Sequence, residues 1–179
     1  LDSRPDARDK FLLNESEVLK TLGFSVEELD LRKFAEKQDE LKELLSKNDL
    51  VWINGGNTFI LRRAMKISGF DNLIVELLKE DKIVYGGFSA AVVILSKDLR
   101  GLDITDDPND VPEGYDKEIL WDGLGLLDYS VAVHYKSDHS ETALTDKEIE
   151  YYKTNSIPYK TLSDGQVIII NGAATKILN

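Results

Sequence analysis

The sequence predicts an α/β fold: a mostly parallel β-sheet with helices on both faces and an antiparallel, β-rich C-terminal edge. Segments with helical periodicity alternate with short apolar segments between residues 12 and 95, which is the order expected of βαβ units. Two apolar segments, residues 49–53 and 83–85, are each followed by a glycine turn and a further helical segment. From residue 160 onward, β-branched residues and turn residues dominate, as in the antiparallel edge of a mixed sheet.

The spacing of apolar residues assigns the elements of the first half of the chain. Helices repeat apolar residues every three or four positions, whereas strands alternate them or form short continuous runs. In chain order the sequence predicts a helix at residues 8–22, a short edge strand at 25–31, a helix at 34–45, a strand at 49–53, helices at 58–67 and 73–79, and a strand at 83–85 followed by a helix.

The second half begins with a break in this pattern. Residues 99–116 are rich in Asp, Gly and Pro and predict a long loop, a feature that in compact domains is usually functional or mobile. The pattern then predicts a strand at 130–134, a helix at 146–154, strands at 160–162 and 166–170, and a last strand at 174–178 after an Asn171-Gly172 type I′ turn.

Composition limits the classes of function. The chain has 179 residues and a formal net charge of −11, which fits one domain and argues against nucleic acid or an anionic membrane as partner. No apolar run approaches the ~20 residues that span a bilayer. The absence of cysteine excludes a thiol nucleophile and disulfides, and we expect a cytoplasmic location. A homodimer is compatible with the sequence, although no residue pattern indicates it.

The segment around Ser89 has the pattern of a nucleophile elbow. A short β-branched strand, a Gly86-Gly87 break and an apolar helix start surround Ser89, and such a turn lifts a serine hydroxyl above the sheet. The segment matches G-x-S-x-G except that Ala91 stands at the last glycine. Alternatively, Ser89 is an ordinary helix N-cap after a strand.

A histidine follows another predicted strand and would reach the same edge of the sheet. Sites in open α/β sheets lie outside the carboxyl ends of the strands, and His134 ends the strand at 130–134. A serine needs a base to become nucleophilic, and a histidine base needs a carboxylate to set its tautomer. The candidate carboxylates are Asp103, Asp106, Asp107, Glu113 and Glu141.

Two other kinds of site are less well supported by the spacing. The metal-ligand types His134, Asp138, His139 and Glu141 lie close in sequence, but His-x4-His does not place two rings on one helix face as H-E-x-x-H does. The glycine turn at residues 54–58 has the backbone for anion binding, but no Lys-Ser/Thr pair follows it as in a P-loop.

Taken together, these motifs resemble the peptidase E (aspartyl dipeptidase, S51) family over roughly the whole chain. The pair formed by the G-G-N-T-F and G-x-S-A motifs at this separation is the specific part. The matching residues are Asn54-Gly55-Gly56-Asn57-Thr58-Phe59, Gly87-Phe88-Ser89-Ala90, Thr105-Asp106-Asp107, Val133-His134-Tyr135, Ser140-Glu141-Thr142 and Asp164-Gly165-Gln166.

The resemblance implies a flavodoxin-like or class I amidotransferase-like α/β fold, a Ser-His-Asp hydrolase site, and no metal or organic cofactor. The implied site residues are the nucleophile Ser89, the general base His134, the acid Asp107, the oxyanion N–H donors Gly56 and Ala90, and the substrate contacts Asn57 and Glu141.

Three departures from the family pattern bear on activity. Ala91 replaces the glycine of S-A-G. The family's opening strands are expected before Leu1, so residues 1–179 are expected to form a single domain that lacks them. Aspartyl dipeptidases carry an Arg after the Glu-Thr pair, where this chain has Ala143; without that cation, a preference for acidic substrates is doubtful.

The sequence therefore predicts a metal-independent serine peptidase that hydrolyses small peptides through an acyl-enzyme, in the manner of a dipeptidase. The alternative from another class is a non-catalytic binding domain on the same scaffold, for which a large separation between Ser89 and His134 would be the sign. A hydrolase of an acidic polymer such as cyanophycin is a related alternative, which would need a long open groove.

Overall fold

The computed structural model describes residues 5–179, with side chains from Asp9 onward. The helices are α1 (Pro5–Thr21), α2 (Gln38–Leu45), α3 (Thr58–Ser68), α4 (Phe70–Lys79), α5 (Ala90–Val93) and α6 (Thr142–Thr154), with 3-10 helices at Leu31–Phe34 and Leu102–Ile104. The strands are β1 (Leu50–Ile53), β2 (Val84–Gly87), β3 (Ser130–Ala132), β4 (Tyr159–Thr161), β5 (Val167–Asn171) and β6 (Ala174–Leu178). Within residues 5–179, no helix is both long and apolar enough to cross a bilayer.

Parallel pairing of strands confirms the α/β class. β1 pairs with β2 in parallel, so that Ile53 lies opposite Gly87, and β3 pairs with β4 in parallel, with Ala132 opposite Thr161. The hydrogen bonds form separate two-stranded ladders, rather than the single continuous sheet that was predicted. In each parallel pair both strands end at the same edge, which brings the segments after them together.

The amphipathic helices bury their apolar faces against the strands, and the buried side chains form four clusters. The largest cluster joins α2, α3 and α4 to β1 and to the start of α5, as expected when helices bury one apolar face against a strand pair. The fully or nearly fully buried members of this cluster are Leu41, Leu45, Val51, Leu61, Met65, Phe70, Ile74, Ile83, Ala90 and Ile94. The residues at the base of the Ser89 segment are therefore part of the core.

The edge strand predicted at residues 25–31 is wrong. The chain there is irregular and leads into the 3-10 helix Leu31–Phe34. Asp30 caps that helix by accepting a hydrogen bond from the Arg32 backbone N–H, and its carboxylate also binds the Arg32 guanidinium. A local side-chain cap thus competes successfully with the strand pattern, since Asp favours such backbone contacts over a sheet ladder.

The C-terminal hairpin forms with a different turn from the one predicted. Asn171 pairs with Ala174, so the two loop residues are Gly172 and Ala173 rather than Asn171 and Gly172. Gly172 has φ +55° and is the only loop residue with positive φ, which is the pattern of a type II′ turn with glycine first. β5 and β6 pair with each other and do not extend either parallel ladder.

The long loop at residues 99–116 is held against α3 by a buried arginine. Arg63 is 3% exposed, and its guanidinium donates to the backbone carbonyls of Pro108, Asp116 and Glu118 at 2.9–3.1 Å. Burial without a carboxylate partner in hydrogen-bonding distance lowers the pKa of Arg63. Asp106 and Asp107 also bond Thr58 and Asn57 at the start of α3, so the loop lies beside the carboxyl end of β1.

Candidate active site

Ser89 stands at a strained turn between β2 and α5. Its backbone angles are φ 52° and ψ −120°, a conformation that costs a non-glycine residue free energy and that clusters at functional sites. The strand ends at Gly87 and the helix begins at Ala90, so the turn between them consists of Phe88 and Ser89 alone. This strand, sharp turn and helix have the geometry of a nucleophile elbow.

Tight packing explains why the elbow carries Gly87 and Ala91. A Cβ at residue 87 would collide with the Ile53 carbonyl oxygen of the neighbouring strand and would lie 2.6 Å from the Ala91 methyl group. Ala91 is fully buried, and its carbonyl accepts a 2.7 Å hydrogen bond from the Tyr85 hydroxyl. The alanine that departs from the family glycine is thus accommodated because residue 87 has no side chain.

The glycine turn after β1 lies against the elbow from the other side. A Cβ at Gly55 would lie 2.9 Å from the Ser89 Cβ, so this backbone passes as close to the serine as a side chain permits. The turn continues into α3, where the Asn57 side chain caps the helix by accepting from the N–H groups of Phe59 and Ile60. The glycine turn therefore lies beside Ser89, and Ala90 directly follows the serine as the first residue of α5.

His134 lies within reach of the serine hydroxyl. Its Nε2 is 3.4 Å from Ser89 Oγ, and its Nδ1 is 2.8 Å from Asp164 Oδ1. The His134 side chain is 15% exposed, whereas that of Asp164 is 49% exposed. His134 also has a positive φ of 57°, so the backbone turns sharply at the imidazole as it does at the serine.

The register of β3 and β4 brings His134 and Asp164 together. Because the two strands are parallel and Ala132 lies opposite Thr161, the residues that follow each strand meet at the same edge. Two serine hydroxyls join the segments there: Ser163 Oγ donates to the Tyr135 carbonyl at 2.7 Å, and Ser137 Oγ accepts from the Asp164 N–H at 2.8 Å.

Helix α6 supports the histidine segment from beneath. Thr142 Oγ1 lies 3.0 Å from the His134 carbonyl oxygen and 2.8 Å from that of Ser137, and Thr145 Oγ1 lies 3.0 Å from the Val133 carbonyl oxygen. Threonine hydroxyls at the start of this helix thus satisfy backbone carbonyls of the turn that presents the imidazole.

Asp107, the predicted acidic partner of His134, has a different role in the structure. Its Oδ1 accepts from the Asn109 backbone N–H at 2.8 Å, and its backbone carbonyl accepts from the Asn57 side-chain amide. Asp107 is thus engaged in a local turn, because a short Asp side chain readily bonds the backbone two residues on. The carboxylate against His134 is that of Asp164.

The other candidate acids also have separate positions. Asp106 accepts from the Thr58 backbone N–H at 2.8 Å, and burial raises the pKa of its carboxyl group. Asp103 accepts from the Gly101 N–H, and Glu113 is exposed. Glu141 is the one candidate of the five that lies near the imidazole, with Oε2 4.0 Å from His134 Nε2.

His139 and Glu141 complete the rim around His134. The His139 ring stacks on the His134 ring, with 3.8 Å between centroids and 9° between planes. His139 Nδ1 accepts from the Glu141 backbone N–H at 3.2 Å and lies 3.9 Å from Glu141 Oε2. The predicted substrate contact Glu141 is therefore at the rim, whereas both functional groups of the Asn57 side chain bond the protein itself.

Beneath this rim, α6 buries a carboxyl group. Glu148 is 2% exposed, and its carboxyl accepts from the Tyr152 hydroxyl. Burial, together with the negative charges of Asp106 and Glu141, raises the pKa of Glu148 to about 7. Helix α6 therefore contains a buried carboxyl group that titrates near neutral pH, a feature that the sequence pattern did not reveal.

Comparison with known proteins assigns the chain to a family. The sequence profile of peptidase family S51 matches residues 3–178. An uncharacterized peptidase of Listeria monocytogenes is 33% identical over 155 residues, which cover 87% of this chain and 71% of that protein. A Drosophila melanogaster protein named probable alpha-aspartyl dipeptidase is 23% identical, covering 95% of this chain and 67% of that one.

A solved structure agrees with the sequence matches. The crystal structure of a Listeria monocytogenes protein assigned to peptidase E superposes with a TM-score of 0.78 at 30% identity, covering 91% of this chain and 74% of that chain. The profile match spans nearly the whole sequence. The motifs that indicated the family include the serine and histidine segments, which the fold brings together. The chain belongs to peptidase family S51.

Proposed function

We propose that this peptidase works as a serine hydrolase with Ser89 as nucleophile, His134 as general base and Asp164 as the carboxylate that orients the imidazole. The proposal rests on two contacts, one between Asp164 Oδ1 and His134 Nδ1 and the other between His134 Nε2 and Ser89 Oγ. A nucleophile, a base within reach and a third group that orients the base make up the general arrangement of an activated serine.

In the proposed mechanism, Ser89 Oγ attacks the scissile carbonyl carbon while its proton passes to His134 Nε2. Asp164 keeps the other proton on Nδ1, so that Nε2 is free to accept, and stabilises the imidazolium that forms. The N–H groups of Gly56 and Ala90 would bind the oxyanion. His134 then protonates the leaving amine, and water hydrolyses the acyl-serine by the same route in reverse.

The distance of 3.4 Å between His134 Nε2 and Ser89 Oγ supports catalysis over the binding-domain alternative. That alternative expected the two groups far outside hydrogen-bond reach. The distance is long for a hydrogen bond, but catalytic hydrogen bonds are often long without substrate and tighten in the complex.

We propose small peptides cleaved after the N-terminal residue as the substrate, without a strong preference for Asp at that position. One relative is named as a probable alpha-aspartyl dipeptidase, which supports dipeptidase chemistry. However, Glu141 lies at the rim, and the exposed Ala143 stands at the position where the family pattern has an Arg. A flavodoxin-like or amidotransferase-like classification and a cytoplasmic location are part of the same proposal and rest on the sequence alone.

Labelling with a peptidyl phosphonate, followed by mass spectrometry, tests the mechanism. The wild-type chain should gain one phosphonyl group, on Ser89. Ser89→Ala should gain none, whereas the control Ser140→Ala, which removes an exposed serine from the same rim, should be labelled at the wild-type rate. Failure of the folded wild-type chain to react at Ser89 would refute the serine mechanism.

A further inference from the structure

The side chains at the rim of the site include a set of metal ligands. His134, His139 and Glu141 each offer one ligand atom, and the three atoms lie within 4.8 Å of one another. We propose that these residues bind a divalent transition metal ion, best represented by Zn²⁺, and that the bound ion inhibits the peptidase. The inhibitory consequence rests on the function proposed above, whereas the binding site does not.

The ligand set suits zinc rather than magnesium or calcium. Zinc binds imidazole nitrogens and carboxylate oxygens in tetrahedral sites, and three protein ligands of this kind leave a fourth position for water. Magnesium and calcium prefer all-oxygen sites. Two imidazoles and one carboxylate at this rim therefore select a borderline ion.

A second observation supports the assignment, because His134 already has the carboxylate partner on its other nitrogen that zinc-bound histidines usually have. Asp164 Oδ1 lies 2.8 Å from His134 Nδ1, which is the carboxylate–histidine arrangement that fixes the tautomer of a zinc-bound imidazole and raises its basicity. Among the salt bridges of the side chains that the structure describes, those of residues 9–179, Glu141 and Asp164 have only histidines as cationic partners. No lysine or arginine in that part of the chain would need to be displaced from them.

Binding requires a small rearrangement of exposed groups. Glu141 Oε2 lies 4.0 Å from His134 Nε2 and 3.9 Å from His139 Nδ1. Ligands about 2.0–2.2 Å from a tetrahedral zinc lie closer together than that by roughly half an ångström. The stacked His139 ring must turn so that its Nδ1, which accepts from the Glu141 backbone N–H at 3.2 Å, releases that hydrogen bond and points its lone pair at the ion. The His139 side chain is 37% exposed, so solvent leaves room for this movement.

Metal binding and catalysis compete for the same electron pair. The Nε2 lone pair of His134 is the group that accepts the Ser89 proton in the proposed mechanism, and it is also the group that would donate to zinc. While the ion is bound, the serine has no base. The ion therefore acts as an inhibitor of this site and not as its cofactor.

Zinc binding can be measured separately from activity in the Ser89→Ala protein. Competition with a chromophoric chelator, with ZnCl₂ as the probe, should give one Zn²⁺ per chain. In that background, His139→Asn and Glu141→Gln should each weaken binding at least about tenfold, and Asp164→Asn should weaken it by about 10- to 100-fold. The control Asp138→Asn, at an exposed acid outside the ligand set, should bind as the parent does.

Circular dichroism checks that each variant is folded, and MgCl₂ replaces ZnCl₂ in a parallel titration that should show no binding. Affinity equal to the parent in both His139→Asn and Glu141→Gln would overturn the proposed site. So would the absence of stoichiometric Zn²⁺ in the folded Ser89→Ala protein.

The inhibitory consequence is tested on the wild-type chain. Zn²⁺ should slow phosphonate labelling of Ser89 at least about tenfold, with half of the effect at the dissociation constant measured above, and a chelator should restore the rate. If zinc binds but labelling is unchanged, inhibition is refuted. If Ser89 is never labelled although the Ser89→Ala protein binds zinc, the serine mechanism fails and the metal site stands.

Discussion

The two halves of the proposed catalytic pair are built in different ways. Ser89 is positioned by packing: it lies between a parallel strand and a helix, with Gly87 pressed against Ala91 and against the Ile53 backbone. His134 is positioned by polar contacts: its turn is held by the hydroxyls of Thr142 and Thr145 and by the carboxylate of Asp164.

This difference separates stability from activity. Close-packed interiors tolerate added volume poorly, so a substitution that adds volume at the elbow, as at Gly87, should destabilise the fold itself. A partly exposed segment held by single hydrogen bonds loses only about 1 kcal/mol for each bond removed. Changes at the histidine segment should therefore remove activity from a chain that remains folded, whereas added volume at the elbow should lower stability.

The largest expected effect is on catalysis, from replacement of the base. His134→Asn should lower kcat/KM and the rate of phosphonate labelling by at least about 10³-fold. Asn accepts the positive φ of residue 134 (57°) better than most residues do, so the free energy of unfolding should change by less than about 1 kcal/mol. Urea denaturation checks this, and a large loss of stability with activity retained would reverse the assigned roles.

The opposite result is expected at the elbow. Gly87→Ala should lower the free energy of unfolding by about 3 kcal/mol or more, because the new methyl group meets both the Ile53 carbonyl and the Ala91 side chain. Adding Ala91→Gly should recover only part of the loss, since the contact with the backbone of β1 remains. Urea midpoints of the single and double variants measure this, and an unchanged midpoint for Gly87→Ala would contradict the packing argument.

The support of the histidine segment should be sensitive to pH. The pKa of Glu148 is raised to about 7 in the folded chain from 4.5 in the unfolded one, so between these values only the unfolded state releases the proton. The free energy of unfolding should therefore fall as the pH rises from about 4.5 to 7, by up to about 3 kcal/mol. Above about pH 7 this contribution levels off.

Glu148→Gln removes the titrating group but keeps a side chain of similar shape. Between pH 5 and pH 8, the free energy of unfolding of Glu148→Gln should therefore fall much less than that of the wild type. Glu150→Gln, at an exposed position of the same helix, is the matched control and should decline as the wild type does. If the free energy of unfolding falls with pH as steeply in Glu148→Gln as in the wild type, Glu148 is not the source of the pH dependence.

Substrate preference should change with little cost in stability, because Ala143 lies exposed in the first turn of α6. Ala143→Arg should raise kcat/KM for Asp-X over Ala-X dipeptides by about 10- to 100-fold, the equivalent of the 1.5–3 kcal/mol of a charged hydrogen bond. Ala143→Gln, which lacks the charge, should not. If wild-type protein already prefers Asp-X strongly, another cation must read the acidic side chain.

The contrast between the two regions also explains what the sequence predicted. The elbow was predictable because its strand, glycine pair and helix are contiguous, and apolar periodicity marks each part. Asp164 was not predicted as the partner of His134 because it lies 30 residues away, in an Asp164-Gly165-Gln166 segment that matched the family pattern but was given no role. Parallel pairing of the strands before His134 and Asp164 would have indicated the contact, but strand order is not encoded locally.

The other differences between the sequence predictions and the structure have a similar origin. Residues 25–31 alternate like a strand, yet none of the strands between residues 5 and 179 pairs with them, and the Asp30 cap decides the local structure instead. Asp107 fitted the family motif, but its carboxylate bonds the backbone two residues on. Short-range patterns predicted which residues follow the carboxyl ends of the strands. The partner of each of their side chains depends instead on the long-range register of the strands.

The most direct test compares Asp164→Asn with Asp107→Asn in the rate constant for phosphonate labelling of Ser89. An Asn at the carboxylate position favours the wrong imidazole tautomer, so Asp164→Asn should react about 10³- to 10⁴-fold more slowly than the wild type. Asp107→Asn should react at nearly the wild-type rate. The opposite ranking, with Asp107→Asn slow and Asp164→Asn unimpaired, would contradict the catalytic arrangement proposed for this chain.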